Sequence, residues 1–358
     1  MAITVTFLQQ DRQRPEEIAA QFAEFLRAAR TSLHLAVYDF HLSGAASDLV
    51  LGALRDRVRA GVDVRIAFDA GKPEAIPSPT RGDPARPGAT QEYVRGIGDG
   101  IAYRPITGGD PRQPKLMHQK YVVRDAGTPA AAVWTGSANW TDDSWTLQEN
   151  NLLRIDSPAL ANYYETDFKD LWARGDIGTS GLHDKGTVPV GAGSIDVAFA
   201  PGEGEGIDHA IAHRIGTARR RIKLCSMLLT SGAILRALSE ARQKAQVAEY
   251  GGIYDRTQMD SVLDQWKGGP SAWKAPIFAE VVRGLSGKPS TPYTPGGRHD
   301  FMHNKVVVCD DVVLTGSFNL SHSATQNAEN VLFLHDAALA ERYNDYIDSL
   351  VKRYQGQS

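Results

Sequence analysis

Residues 116–155 read LMHQKYVVRDAGTPAAAVWTGSANWTDDSWTLQENNLLRI, and residues 301–335 read FMHNKVVVCDDVVLTGSFNLSHSATQNAENVLFLH. The second stretch is a variant copy of the first. In both, a Met-His-x-Lys run opens an apolar, strand-like segment. An aspartate (Asp125, Asp310) stands five residues after the lysine, and a Gly-Ser-x-Asn run leads on to a Glu-Asn pair. Gly136 lies thirteen residues before Glu149, and Gly316 lies thirteen before Glu329. The His-to-Gly spans differ, 18 residues against 13. The surplus falls in AGTPAAA, whose small residues suit a longer hairpin loop. Such self-similarity marks an internal duplication.

The correspondence extends outward from the motif. Leu160, Tyr164 and Leu171 match Leu339, Tyr343 and Leu350 at an offset of 179, each set spaced as one apolar helix face. Upstream, SLHLAVYDF (from Ser32) and RIKLCSMLL (from Arg221) each stand between two helical stretches, and VTF (from Val5) and VAF (from Val197) begin the two units. Each copy reads strand, helix, strand, helix, strand, then the motif strands and a closing helix, which predicts an α/β fold with a mixed sheet. The glycine-rich, unpatterned stretch 174–194 sets the boundary, giving repeats over 1–175 and 195–358. Two Pro- and Gly-dense stretches, 71–91 and 284–300, precede the motifs and suit loops around a substrate mouth.

The 358 residues are 42% hydrophobic and 23% charged, with a net charge of −3, the balance of an ordinary globular chain rather than a general polyanion binder. The tight basic run, Arg219 to Arg221, reads as a solvated helix end before a strand. Cys225 and Cys309 sit in apolar runs and read as buried thiols. The N-terminal MAITVTFLQQ lacks the layout of a signal peptide, and no apolar run is long enough to span a bilayer. A cytoplasmic protein with no transmembrane segment is expected.

In a strand, side chains at i and i+2 share a face, so His118 points with Lys120 and His303 with Lys305. Two such pairs, with the amides of Asn139 and Asn319, supply what cleavage of a phosphodiester needs. The lysines and amides neutralise the non-bridging oxygens. One neutral histidine can attack phosphorus to give a phosphohistidine, and the other, protonated, can donate to the departing oxygen. Glu149 and Glu329 are the expected partners that fix the two tautomers. Ser137 and Ser317 fit either a phosphate contact or the local turn, and Asp125 and Asp310 fit a structural role at the turn after the motif strand. His209 and His213 have the helical spacing of a metal-binding pair but no further matched ligands. Neither a metal nor a cofactor is expected.

These residues resemble the phospholipase D superfamily, whose signature is His-x-Lys, four residues, Asp, then Gly-Ser-x-Asn. The resemblance covers nearly the whole chain. It implies two tandem α/β/α sandwich repeats related by a pseudo-twofold axis, with the site at their interface, so that a monomer suffices. It also implies a metal-independent phosphodiesterase that forms a covalent phosphohistidine. Analogy with twin-motif members assigns His118 as nucleophile and His303 as acid, an order that the pseudo-symmetry leaves open. One departure is the spacing from Asp to Gly-Ser, longer in the first copy and one residue short in the second, which touches only a hairpin.

The superfamily includes phospholipases, phosphatidyl transferases and nucleases, so the fold does not choose the substrate. The stretches after Gly-Ser look like those of small nuclease-type members, but the acidic pI of about 6.4 argues against a nucleic-acid enzyme. In WKGGPSAWKAPIF, Trp266, Trp273, Ile277 and Phe278 suit a peripheral lipid contact, helped by Lys267 and Lys274, with core packing as the alternative. Cleavage or transfer of phospholipid head groups leads, and hydrolysis of DNA or RNA follows. A degenerate binding module is disfavoured, because neither copy has lost a catalytic residue.

Overall fold

A computed structural model describes residues 2–71, 87–109, 115–178, 180–294 and 297–356. The first half runs β1 (Ile3–Leu8), α1 (Pro15–Arg27), β2 (Ser32–Val37), β3 (Phe40–His41), α2 (Gly44–Arg59), β4 (Asp63–Asp69), α3 (Pro87–Arg95) and β5 (Ala102–Ile106). It continues with β6 (Lys120–Arg124), β7 (Ala132–Gly136), β8 (Trp140–Thr141), α4 (Asp142–Thr146), β9 (Asn150–Ile155) and α5 (Pro158–Arg174). The second half runs β10 (Gly186–Val190), β11 (Gly193–Ala200), α6 (Gly204–Thr217), β12 (Arg221–Ser226), α7 (Gly232–Gln243), β13 (Glu249–Asp255), α8 (Arg256–Trp266) and α9 (Lys274–Val281). It ends with β14 (Ser286–Lys288), β15 (Lys305–Cys309), β16 (Val312–Gly316), β17 (Glu329–His335) and α10 (Ala337–Tyr354). Of the first expected mouth loop, residues 72–86 lie outside the described residues.

The two large sheets have the orders β1-β9-β7-β6-β2-β4-β5 and β10-β11-β17-β16-β15-β12-β13-β14, and β3 pairs with β8 in a small third one. Stripped of β10, the second order repeats the first strand for strand. β10 falls inside the stretch that reads as a linker; it is a short edge strand carrying Pro189, a residue tolerated there because one side of an edge strand needs no donor. Every residue of β6 and β15 is buried. Both sheet faces are covered, so these strands carry continuous rather than alternating apolar sequence.

Outer helices α1 and α2 close one face of the first sheet around Phe22, Leu33 and Trp140. α6 and α7 close the far face of the second around Ile211, Leu224 and Leu238. The closing helices α5 and α10 share a single core with both sheets, to which α5 gives Tyr164, Phe168 and Leu171 and α10 gives Tyr343, Ile347 and Leu350. The two sandwiches thus have a common middle layer, and each Leu or Phe buried there contributes about 1.5–3 kcal/mol.

The turn after each motif strand is pinned by its aspartate. Asp125 Oδ1 accepts from the backbone N–H groups of Arg30, Thr31 and Ser32 at 2.7–3.2 Å. Asp310 does the same for Arg219, Arg220 and Arg221. Both residues have φ near +54°, and their carboxylates tie the motif hairpin to the start of the neighbouring antiparallel strand, β2 or β12. The basic run is therefore not wholly solvated, since Arg221 is buried against Glu341. Cys225 and Cys309 are buried and free.

The residues expected at a lipid surface do not form a patch. Trp266 and Phe278 lie in the outer core of the second half with Ile277 packed on it, while Trp273 stands 42% exposed under the Arg236 guanidinium. Among the described residues, no helix is long and apolar enough to cross a membrane.

Candidate active site

Each motif histidine sits just before its strand, where the chain crosses to the other half. His118 N–H donates to the Ala328 carbonyl at 2.9 Å, and Ala328 N–H donates to Leu116. His303 N–H donates to the Glu149 carbonyl at 3.1 Å, and Glu149 N–H donates to Phe301. Backbone pairing between the halves thus brings the two motifs to one place. Both histidines and both motif lysines are buried, at 7% exposure or less. Lys120 Nζ donates to the His118 carbonyl at 2.8 Å and Lys305 Nζ to that of His303 at 2.5 Å. The Tyr38 ring lies edge-on to His118 at 4.7 Å and under Lys120 Nζ at 5.1 Å.

Burial comes first among the causes that hold both imidazoles well below their ordinary pKa, and the charges of both lysines act on both rings. Burial likewise brings Lys120 down to about 7, against the pull of Glu329, Asp39 and Asp69. Lys305 falls well below the lysine range through burial and the charge of Lys120. The two lysines thus lie in a slot that solvent barely reaches, each unfavourable to the other's charge, a cost that a nearby anion would offset.

The histidines have unlike partners. His118 Nδ1 lies 2.7 Å from Glu329 Oε2. Burial raises that carboxyl to about 8, while Lys120, Ser317 and Asn327 draw it back. His303 Nδ1 lies 3.1 Å from the amide oxygen of Asn150, not from Glu149. Glu149 turns to Lys288 Nζ, the Tyr354 hydroxyl at 2.5 Å and the Gln10 N–H. The sheet register explains this correction. Leu8 pairs with Asn150, and in the second half Ala200 pairs with Glu329. Gly136 pairs with Leu152, and Gly316 with Val331. The structural equivalent of Glu329 is therefore Asn150, and the first copy holds one extra residue between its Gly-Ser turn and β9. The equal thirteen-residue spacing concealed that residue. The change of offset from 180 at the glycines to 179 at the closing helices was its signal.

Ser137 and Ser317 are fully buried. Ser137 Oγ donates to Asn150 Oδ1 at 2.7 Å and accepts from Asn151 N–H at 3.0 Å, and Ser317 Oγ accepts from Asn330 N–H. Of the two readings for these serines, the geometry favours the local turn, where they brace the histidines' partners. Asn139 and Asn319 are half-buried beside them, and their Oδ1 atoms have no hydrogen-bond partner among the described residues. His209 and His213 are exposed on α6.

Sequence reasoning passed over the residues that clamp the halves together. Asn330 Nδ2 donates to Gln119, between His118 and Lys120, at 2.6 Å, and Asn330 Oδ1 accepts from Tyr164 of α5 at 3.1 Å. By pseudo-symmetry, Asn151 Nδ2 donates to Asn304 at 2.9 Å, and Asn151 Oδ1 accepts from Tyr343 of α10 at 3.0 Å. Each asparagine thus holds the other half's motif; Asn330 directly follows Glu329, whereas Asn151 stands two residues after Glu149, so the repeated Glu-Asn pair hid the match. At the edge of the site, Asp39, His41, Asp142, Asp143 and His299 line a pocket of about 160 Å³. The charge of Asp39 reaches both Lys120 and Tyr38.

Residues 22–172 and 211–351 each match the profile of one family, described as cardiolipin synthase, PLD-like domain. The chain is similar to a mitochondrial cardiolipin hydrolase from Xenopus laevis, 29% identical over 154 residues, which is 43% of this chain and 60% of the relative. It is also similar to a phospholipase D from Rickettsia bellii (strain RML369-C), 28% identical over 151 residues, 42% of this chain and 65% of the relative. The match therefore spans less than two thirds of each of these relatives. The solved phosphatidylserine synthase of Haemophilus influenzae superposes with a TM-score of 0.64 at 14% identity, covering 98% of this chain and 86% of its own. Polyphosphate kinase from Porphyromonas gingivalis superposes at 0.58 and 14%, covering 97% of this chain and 50% of its own. At those identities the likeness is one of fold. With two matched copies covering most of its length, the chain belongs to the phospholipase D superfamily of phosphodiesterases.

Proposed function

We propose that the chain is a metal-independent phosphodiesterase that works through a phosphohistidine. The observation that carries this reading is the convergence of two buried His-x-Lys pairs in one slot, with a carboxylate behind one ring and an amide behind the other. When Glu329 is ionised it accepts the His118 Nδ1–H, which leaves a lone pair on Nε2. Nε2 attacks phosphorus, the bond to the leaving oxygen breaks, and that oxygen takes a proton from His303. His303 enters this step as an imidazolium, favoured by the bound anion, and gives up its Nε2 proton; water, or an alcohol in a transfer reaction, then returns a proton to that Nε2 and attacks phosphorus, and the N–P bond breaks. Lys120, Lys305 and the amides of Asn139 and Asn319 steady the non-bridging oxygens in both steps. Both motifs come from one chain, so a monomer holds a complete site.

The substrate we infer is a phospholipid, cleaved or exchanged at its head group. Asp39, Asp142 and Asp143 at the edge of the site, with a net charge of −3, suit a neutral or cationic head group better than a polyanion. The names of two relatives, cardiolipin hydrolase and phospholipase D, support a phospholipid substrate without favouring a charge for its head group. The test is head-group release from vesicles of phosphatidylcholine, phosphatidylglycerol and cardiolipin in excess EDTA, with His118→Asn alongside. Release that falls by about a thousandfold or more in the variant is the expected result, in line with loss of a nucleophile. No release from any lipid, with cleavage of labelled single-stranded DNA instead, would replace this substrate with a nucleic acid.

A further inference from the structure

The two halves of the site differ in one respect that bears on the chemistry. At equivalent points of the two sheets, His118 is backed by the Glu329 carboxylate and His303 by the Asn150 amide. The amide is fixed in orientation, because its Nδ2 donates to Ser144 O, Ser144 Oγ and Gln148 Oε1, each at 3.2 Å. Its oxygen is thereby turned to His303, whose Nδ1 must carry the proton. The carboxylate displaced by the extra residue, Glu149, is paired with Lys288 of β14. The corresponding position in β5 is Ile106, opposite Asp69 as Lys288 is opposite Asp255. The second half thus carries a lysine where the first does not, and that lysine faces the carboxylate that has no counterpart in the other half.

We propose that Asn150 is a positioning residue that gives the histidines different tasks: His303, on a neutral amide, donates and recovers the proton, and His118, on a carboxylate, takes the phosphoryl group. The proposal rests on the phosphohistidine reading. The ring of a histidine phosphorylated at Nε2 and protonated at Nδ1 carries positive charge, and Glu329, when ionised, supplies a counter-charge at hydrogen-bond distance on the side away from the anionic phosphoryl oxygens. Asn150 offers only a dipole. A proton donor must release its proton, which a carboxylate behind the ring would oppose. The other groups acting on His303 are Lys305, Lys120, His118 and the Ser137 carbonyl, and the cations among them push its proton off. Glu149 acts elsewhere, on Lys288, Tyr354, Gln10 N–H, Cys225 and Tyr346. Lys288 offsets its charge, so it does not stand in as a remote counter-ion for His303.

The experiment uses bis(4-nitrophenyl) phosphate, whose leaving group needs no proton, with alkaline quenching and mass-spectrometric mapping of the phosphohistidine. In the full-length protein the label is expected on His118 alone. Asn150→Asp, which puts a carboxylate behind both rings, is expected to move a tenth or more of the label to His303. It should also raise the acid limb of the steady-state rate by about one pH unit, because His303 must be neutral to accept the proton of water and its pKa rises beside a new anion. If Asn150→Asp fails to fold by circular dichroism, Glu329→Gln levels the pair from the other side. Total label should then fall at least tenfold and lose its preference for His118. Label on His303 in the unmodified protein overturns the proposal, as does a label distribution and pH limb that neither variant moves. Release of nitrophenolate with no covalent label in the unmodified protein overturns the phosphohistidine reading itself, and the proposal with it.

Discussion

Lys120 and Lys305 lie beside each other's histidines with little solvent to support their charge, and burial brings Lys120 down to about 7. A bound phosphodiester would supply the missing anion and raise that value, so binding should take up protons. The lysine's share of the binding energy is then full below about pH 7 and fades as pH rises through the free and then the bound pKa. For His118→Asn, titration calorimetry with inorganic phosphate should show net proton uptake and an affinity that falls between pH 6 and 9. A flat affinity over that range would contradict this. The residue types of the site were plain in the sequence, because His, Lys and Asn recur at fixed offsets. The environment of each was not. Glu149 shows why: the first copy leaves α4 with one residue more before β9 than the second has between the short 3₁₀ turn His322–Gln326 and β17. That single residue turns Glu149 to Lys288 and brings Asn150 to His303.

The elements around the site depend on two glycine turns. Gly136 and Gly316 have φ of 140° and 146°, and a Cβ on either would collide with the carbonyl oxygen of Asn151 or Asn330. Gly316→Ala should cost about 2–4 kcal/mol, read from urea unfolding, since strain and the clash add; a loss under half of that would mean the turn yields. A second device sits where α5 meets the segment before β10. Asp167 of α5 is fully buried, accepts from Tyr121 at 2.6 Å and Ser180 at 2.5 Å, and is raised to about 8 by burial and then by Asp184. Its folded pKa exceeds its unfolded one, so its contribution is complete below about pH 4 and is lost as pH climbs towards 8. Asp167→Asn should therefore flatten the fall of Tm between pH 5 and 8. Equal slopes for the two proteins would contradict that. The closing helices start at Ser157 and Asp336, where each side chain accepts from the third residue on, while the sequence reading rested on their apolar faces alone. β5, β10 and β14 were not legible, being short or edge strands with Pro or Gly and no alternation to detect.

Across the molecule, the shared middle layer makes each half the other's hydrophobic partner. α5 and α10 bury Tyr164, Phe168, Tyr343 and Ile347 in one core with both sheets, and Tyr164 and Tyr343 each donate to an asparagine of the opposite half. Calorimetry should show a single cooperative transition, with two separable transitions as the contrary result. Duplication was readable from the repeats, yet the depth of this sharing was not, because helix periodicity reveals an apolar face and not what covers it. If the shared core makes one site of two motifs, each chain can hold a single phosphoryl group at a time. The decisive measurement is the amount of covalent phosphate trapped per chain during turnover of a labelled phosphodiester. One equivalent, abolished by His118→Asn, is expected; two equivalents would mean that each half works alone, and none would mean that water attacks phosphorus directly.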